Sequence, residues 1–219
     1  REANKADKQR RIRQAARELF SSRGYDSVTT QEVADLARVG TGTLFRYAQS
    51  KGELLCMFAN EDLRLIVETP PDTGHPLDDL ITLCEPLFLA LENQPENIVA
   101  YHRQTLFGEP GPHREAAQQI LRELRDSIGQ ILTRHGAGNS GPEDLTGRAQ
   151  TVFDVMYMTI VRSGVDRSPG LDHRGELRKH VSRVLYGALD RPASAAVHDR
   201  PVTVGESGPT HRDPDPGAI

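Results

Sequence analysis

Tryptophan is absent from the 219 residues, and only two cysteines occur, Cys56 and Cys84. Each lies in its own apolar helical pattern. With no CxxC pair and no Cys/His cluster at zinc spacing, a disulfide framework and a zinc module are excluded, and free buried thiols are expected. No run of about 18 apolar residues exists, so no membrane-spanning helix is predicted. The N-terminal REANKADKQRRIRQ is basic and has neither an apolar segment nor a small-residue cleavage site; a cytoplasmic protein is expected, not a secreted one. Aromatics are scarce at 5%, and hydrophobic residues reach only 37%. That permits a core but implies a polar surface or some unordered sequence. Catalytic signatures are missing too. There is no GxSxG elbow, HExxH helix or Walker loop, and the scattered Ser, His and Asp residues propose no triad. No catalytic residue and no cofactor is assigned. No metal site is assigned either, because His102 and His113 are isolated. GAGNSG at 136–141 matches GxGxxG, but a dinucleotide fingerprint needs a strand before it and a helix straight after. Here a helical pattern precedes it and Pro142 follows, so a surface loop is expected.

The charge that is present is unevenly placed. The net charge is -4, yet residues 1–58 hold 11 Lys/Arg against 7 Asp/Glu, while the remainder holds 16 against 24. A basic head on an acidic body is suited to meeting a polyanion through the head alone. The plain alternative is an ordinary charge fluctuation. Arg outnumbers Lys 23 to 4, a bias that points to a GC-rich bacterial genome.

Apolar residues recur with helical spacing nearly throughout. Ile12, Ala15, Ala16, Leu19 and Phe20 mark a first helix, and Gly24 is placed to end it. Thr29 with Glu32 makes a capping box that starts a second helix. After a break at Arg38-Val39-Gly40, a short third helix is predicted from Thr41 to Tyr47. Ser50 with Glu53 is read as another capping box, opening a fourth helix through Ile66. ETPPDTGHP (68–76) is a linker, since its prolines forbid helix. A long stripe follows over 77–94, with a kink predicted between Thr82 and Glu85 because Pro86 lies inside it. Further helices are predicted at 96–107, 115–135, 144–166 and 173–190. The third of these regions, 144–166, is apolar almost all round in its second half, so that helix should be buried on most sides. No segment alternates with period two. The fold class is all-α, with about nine helices. From Arg191 to the end, Pro, Gly, Ser and Asp dominate, and that tail is expected to be disordered.

The second helix, its tight break and the short third helix together form a helix-turn-helix, at about 29–48. In such a motif the first helix braces and the second enters the major groove of DNA. Val39 plugs the space between the helices. Gly40 and Gly42 leave room where free N–H groups can approach a phosphate. The third helix is short because it need only fill a groove about 12 Å wide. The basic run KQRRIR suits an arm that tracks DNA, or else a solvated helix start.

TTQEVADLARVGTGTLFRYAQSKGELL resembles the DNA-binding domain of the tetracycline-repressor (TetR) family, whose usual string is T-x-x-x-I-A-x-x-A-G-V-S-x-G-T-x-Y-x-Y-F-x-S-K-x-x-L. With LFSSRGYDSVTT and the first helix, the match covers about 55 residues. The resemblance implies a transcriptional regulator, expected to be a repressor, that binds a palindromic operator as a homodimer and is released by a small-molecule effector. The DNA-contacting positions carried over are Thr29, Thr30, Thr41, Gly42, Thr43, Phe45, Arg46, Tyr47 and Lys51. Thr30 would touch phosphate, and Thr41, Thr43 and Arg46 would face DNA as base readers or phosphate contacts. Tyr47 and Lys51 would hold the backbone. Phe45 stands where the family often has Tyr, leaving van der Waals contact in place of a hydroxyl. Arg38 replaces the usual helix-ending Gly, where left-handed geometry is strained. Gly40 replaces the usual Ser cap, at a cost of only a few tenths of a kcal/mol, roughly. Ala48 replaces the usual Phe and is expected to loosen packing there.

Residues 5–66 would then be the DNA-binding domain and 77–190 an effector-binding and dimerisation domain, pairing through helices 144–166 and 173–190 as the resemblance implies. The effector pocket is expected among the helices at 77–94, 96–107, 115–135 and 144–166. Its candidate contacts are Glu85, Tyr101, His102, Asp154 and Tyr157, polar groups set into apolar helices that must be bonded to something. A structural hydrogen bond in the core is the plainer reading of each. Two other functions stay open: an enzyme or small-molecule binder with a chance helix-turn-helix, and a DNA-binding protein without an effector.

Overall fold

Side-chain caps set the start of the helices that the sequence brackets most sharply. In this computed structural model, which describes residues 2–136, 142–166 and 170–187, Thr29 closes a complete capping box. Its hydroxyl accepts from the Glu32 amide, and the Glu32 carboxylate accepts from the Thr29 amide at 2.8 Å. Ser50 accepts from the Glu53 amide at 3.1 Å, but the Glu53 side chain does not turn back. The helices are α1 (Glu2–Arg23), α2 (Thr30–Leu36), α3 (Thr41–Leu44), α4 (Lys51–Glu68), α5 (Pro76–Leu83), α6 (Glu85–Asn93), α7 (Pro95–Phe107), α8 (Pro112–Arg134), α9 (Pro142–Val165) and α10 (His173–Tyr186). Counted with α5 and α6 as two arms of one kinked run, broken at Cys84, these make the nine expected. The fold is all-α. Among the described residues no helix is long and apolar enough to cross a membrane.

α1 stops at Gly24, whose φ of 75° is the left-handed geometry that glycine adopts cheaply. A Cβ there would also collide with the side chains of Glu96 and Gln94. α2 ends in a Schellman motif, with Arg38 N–H bonded to the Asp35 carbonyl and Val39 N–H to that of Ala34. Its left-handed residue is Arg38, φ 54°, the strained geometry that the sequence predicts. Arg11 from α1 donates to the Ala37 carbonyl at 3.0 Å, placing a cation at the negative end of α2. KQRRIR is not an arm: it lies inside α1. Arg10 and Arg11 pair with Asp7, and Arg13 pairs with Glu61 of α4.

Two apolar clusters fill the described fold. The first joins Ile12, Ala16, Phe20, Val33, Leu44 and Leu55, with Tyr101 and Ala117 reaching in from α7 and α8. The second joins Leu80, Phe88, Ile128, Ile131, Val152 and Leu177. Each fully buried Leu, Ile or Phe contributes on the order of 1.5–3 kcal/mol. α4 packs on α1, α7 and α8, while α9 packs on α7, α8 and α10. Gly164 lets α9 press close to α7, where a Cβ would stand 2.9 Å from Val99. The expectation that α9 is covered on most sides does not hold for the single chain. Met158 is 58% exposed and Val165 65%. They share a face with Thr151, Asp154 and Arg162, also exposed, because α7, α8 and α10 cover only the other flanks.

Asp79 is fully buried at the start of α5. It accepts from the Thr73 amide and hydroxyl and pairs with His135 Nε2 at 2.8 Å. Burial opposes its ionisation, but these hydrogen bonds outweigh it and hold the carboxyl below the ordinary range. Asp72 is close by, and Arg134 lies 3.7 Å from Asp79. With a cation already among them, the three groups read as a clasp on the linker. Cys56 and Cys84 are free and buried. The tail, and GAGNSG beyond Gly136, lie outside the described residues.

Candidate DNA interface and interior cavity

α3 is shorter than predicted. Beyond Leu44 the chain tightens, with Arg46 N–H bonded to the Thr43 carbonyl and Tyr47 N–H to that of Leu44, the i→i+3 pattern of a 3₁₀ end. Leu44 is fully buried and anchors the element. Around that anchor Gly42, Phe45 and Arg46 are exposed, and Thr41 and Thr43 half-buried. Thr41 donates to Gln31 at 2.8 Å, fixing α3 to α2. A Cβ on Gly40 or Gly42 would meet nothing within 4 Å, and neither has a positive φ. Nothing in the folded chain requires those glycines. Thr29 is occupied by its cap, and Thr30 follows it on the same helix end. Glu32 is held down to about 2, first by Arg23 and then by the Thr29 hydrogen bonds. Lys51 Nζ rests 4.3 Å over the Tyr25 ring. Tyr47 OH reaches the Lys5 carbonyl at 3.4 Å.

Between α4, α6, α7, α8 and α9 lies a cavity of about 250 Å³. Its walls are mostly apolar, including Phe58, Leu87, Ile98, Leu124, Phe153 and Met156. Tyr101, His102 and Tyr157 are among the lining residues. His102 and Tyr157 meet edge to face, ring centroids 4.4 Å apart. His102 Nδ1 and Tyr157 OH are buried without a hydrogen-bond partner. Burial pushes the imidazole down to about 4 and the Tyr157 phenol up to about 12, so both are neutral near pH 7. Two expected contacts are elsewhere. Glu85 turns outward to Arg174, with Arg174 Nη2 at 2.7 Å, because an arginine within reach outcompetes an apolar wall. Asp154 is exposed on α9 and accepts from Gln150 at 2.8 Å.

A hydrogen-bonded path joins the cavity to the turn that follows α3. Tyr101 OH donates to Asn60 Oδ1 at 2.8 Å, and Asn60 Nδ2 donates to the His113 carbonyl at 2.9 Å. His113 Nε2 lies 2.9 Å from the Tyr47 carbonyl; a carbonyl only accepts, so Nε2 carries the proton. Glu53, 2% exposed, accepts from the His113 and Arg114 amides at 3.2 and 2.7 Å, capping α8.

The family "Bacterial regulatory proteins, tetR family" matches residues 12–56, the segment that builds this exposed α3. Residues 12–56 thus carry a TetR-family segment. The likeness extends beyond that segment. The transcriptional repressor KstR of Rhodococcus jostii is 26% identical over 85% of this chain and 86% of its own length. KstR of Mycobacterium tuberculosis is 28% identical over 84% and 83%. Thermus thermophilus FadR, a TetR-family repressor solved in complex with lauroyl-CoA, is 27% identical with a TM-score of 0.64, covering 85% of this chain and 98% of that one. These relatives are regulators, not enzymes.

Thr30 opens α2, Thr41 and Thr43 lie in α3 with Phe45 and Arg46 just after it, and Tyr101, His102 and Tyr157 line the cavity. Glu53, Asn60 and His113 were not singled out for the site. Glu53 was read as half of a capping box, and its true partners are 60 residues away. Asn60, a polar residue inside the apolar run of α4, was the available signal. Ala48 is buried at 1%, and His113 closes the helix end beside it.

Proposed function

We propose that this protein is a TetR-family regulator, a cytoplasmic homodimeric repressor that binds a palindromic operator through α3 and leaves it when a small molecule enters the cavity. Residues 5–66 form the DNA-binding domain and 77–190 the effector and dimer domain. The observation that carries the reading is the open space at Gly40 and Gly42 beside Thr41, Thr43 and Arg46. A surface kept free of Cβ atoms for no internal reason suits close approach by a phosphate backbone. Repression follows the names of the KstR relatives. An apolar effector group is in keeping with the cavity walls, and the acyl chain of the lauroyl-CoA in complex with FadR is a group of that kind.

The mechanism is a change of spacing. Two α3 helices must sit about 34–36 Å apart to read successive major grooves. A ligand that favours another spacing shifts the population off DNA, and DNA weakens the ligand equally. The path from Tyr101 through Asn60 and His113 to Tyr47 gives the cavity and the turn after α3 a shared set of contacts. The exposed face of α9, with Met158 and Val165, is the surface offered to the second copy.

The test is selection of bound duplexes from a random pool, with the wild type and Arg46→Ala in parallel. The wild type is expected to enrich a palindrome. Loss of preference at one base pair in the variant makes Arg46 a base reader, and uniform weakening makes it a phosphate contact. Enrichment of no sequence by the wild type overturns the regulator reading.

A further inference from the structure

We infer that the cavity takes an uncharged, mainly aliphatic molecule carrying one carbonyl or hydroxyl oxygen, which seats against His102 and Tyr157. This rests on the reading of the cavity as the effector site. Among the described residues, three polar atoms of the cavity lining are orphans: His102 Nδ1, Tyr157 OH and Asn97 Oδ1. A buried polar atom left unmatched costs about 1–3 kcal/mol. His102 is only 8% exposed, so bulk water does not serve it freely. The two rings meet edge to face and both line the one cavity, so the oxygen of a ligand lying there can serve either atom. A carbonyl accepts from Tyr157 OH or from a protonated Nδ1. An alcohol accepts from Tyr157 or donates to an unprotonated Nδ1. Either tautomer of the neutral ring therefore has a use.

The charge of the ligand follows from what the walls hold. Among the described residues no lysine or arginine lines the cavity, and the one carboxylate there, Asp62, is paired with Arg17 at 2.7 Å. An anionic head pushed inside would lose its hydration with no cation in exchange, at a cost of several kcal/mol per ion on the general scale. A cation would meet two neutral groups and no free carboxylate. The remaining lining, from Phe58 and Leu87 to Phe153 and Met156, offers a hydrocarbon the contacts it lacks in water. An ester, thioester, ketone or alcohol meets these conditions. A free fatty-acid anion does not.

The experiment uses the full-length protein and four probes built on a ten-carbon chain: methyl decanoate, 1-decanol, decanoate and decane. Binding is read by calorimetry at pH 7.5 without DNA, and release of a selected operator duplex is read separately. Methyl decanoate and 1-decanol are expected to bind at least about tenfold more tightly than decanoate. Tyr157→Phe and His102→Phe are each expected to weaken the ester by about three- to tenfold and to leave decane unchanged. Decanoate binding as tightly as the ester overturns the inference. So does an ester affinity that neither substitution alters, or failure of all four probes to bind. Ester binding that leaves the operator complex intact keeps the ligand class and defeats the effector reading instead.

Discussion

Gly42 separates the demands of folding from those of DNA. It lies inside α3, its φ is not positive, and a Cβ there would touch nothing. Replacing a helical glycine by alanine under those conditions stabilises a protein by about 0.4–1 kcal/mol. Gly42→Ala is therefore expected to raise Tm while weakening operator binding about tenfold or more. A rise in Tm with unchanged DNA affinity would remove Gly42 from the interface. His102 makes a second demand visible at this scale. Its folded pKa is pushed down to about 4, against about 6.5 in an unfolded chain. Between those values the unfolded state binds the extra proton, so stability falls as pH drops through the window from about 6.5 to 4. The loss has an upper bound of about 3 kcal/mol. His102→Phe is expected to flatten this part of the curve. Parallel Tm profiles for wild type and variant from pH 4.5 to 7.5 would show that the imidazole is not held neutral.

Glu53 shows where helices bear loads the local sequence hides. Two amides at the start of α8 rest on its carboxylate. Glu53→Ala leaves both unsatisfied and is expected to cost about 1–3 kcal/mol, seen as a lower denaturation midpoint at unchanged slope. A loss confined to a few tenths would mean that water replaces the cap. Tyr101→Phe tests the path more gently, because it deletes one hydroxyl from the link to Asn60. Operator affinity without ligand should stay within about twofold. The weakening of operator binding by methyl decanoate should shrink, within the roughly 5–150-fold range of ordinary allosteric coupling. At this scale the sequence was a good guide to signals that are local. The Thr29 cap, the Gly24 stop, the strained Arg38 and the break before Pro86 each depend on neighbours within a few residues. It failed where partners are distant. Glu53 has the spacing of a capping box, yet it faces α8; Glu85 sits in an apolar run, yet Arg174 draws it outward. Periodicity says which face of a helix is buried and is silent on which remote group waits there.

At the scale of the whole molecule, one face of α9 is left without cover by the described residues. Met158 and Val165 lie on it, exposed in the single chain although the helix reads as apolar almost all round. The apolar pattern was legible, but the partner proposed for it is a second chain, which no pattern within one sequence names. In a twofold interface the same patch meets itself, so any substitution appears twice across the axis. Met158→Arg would set two unpaired cations against each other in a surface about to lose water. Because Met158 is exposed in the folded chain, the variant is expected to fold with nearly the wild-type Tm once dilution has separated the copies. Sedimentation should find a dimer for the wild type and a monomer for the variant. Binding to a single half-site should then be unchanged, while binding to the full palindrome falls about 10²–10⁴-fold, the gain that joining two binding modules supplies. A variant that still sediments as a dimer would move the interface off this face of α9. One that dissociates yet keeps full affinity for the palindrome would leave the dimer where it is proposed and remove it from the mechanism.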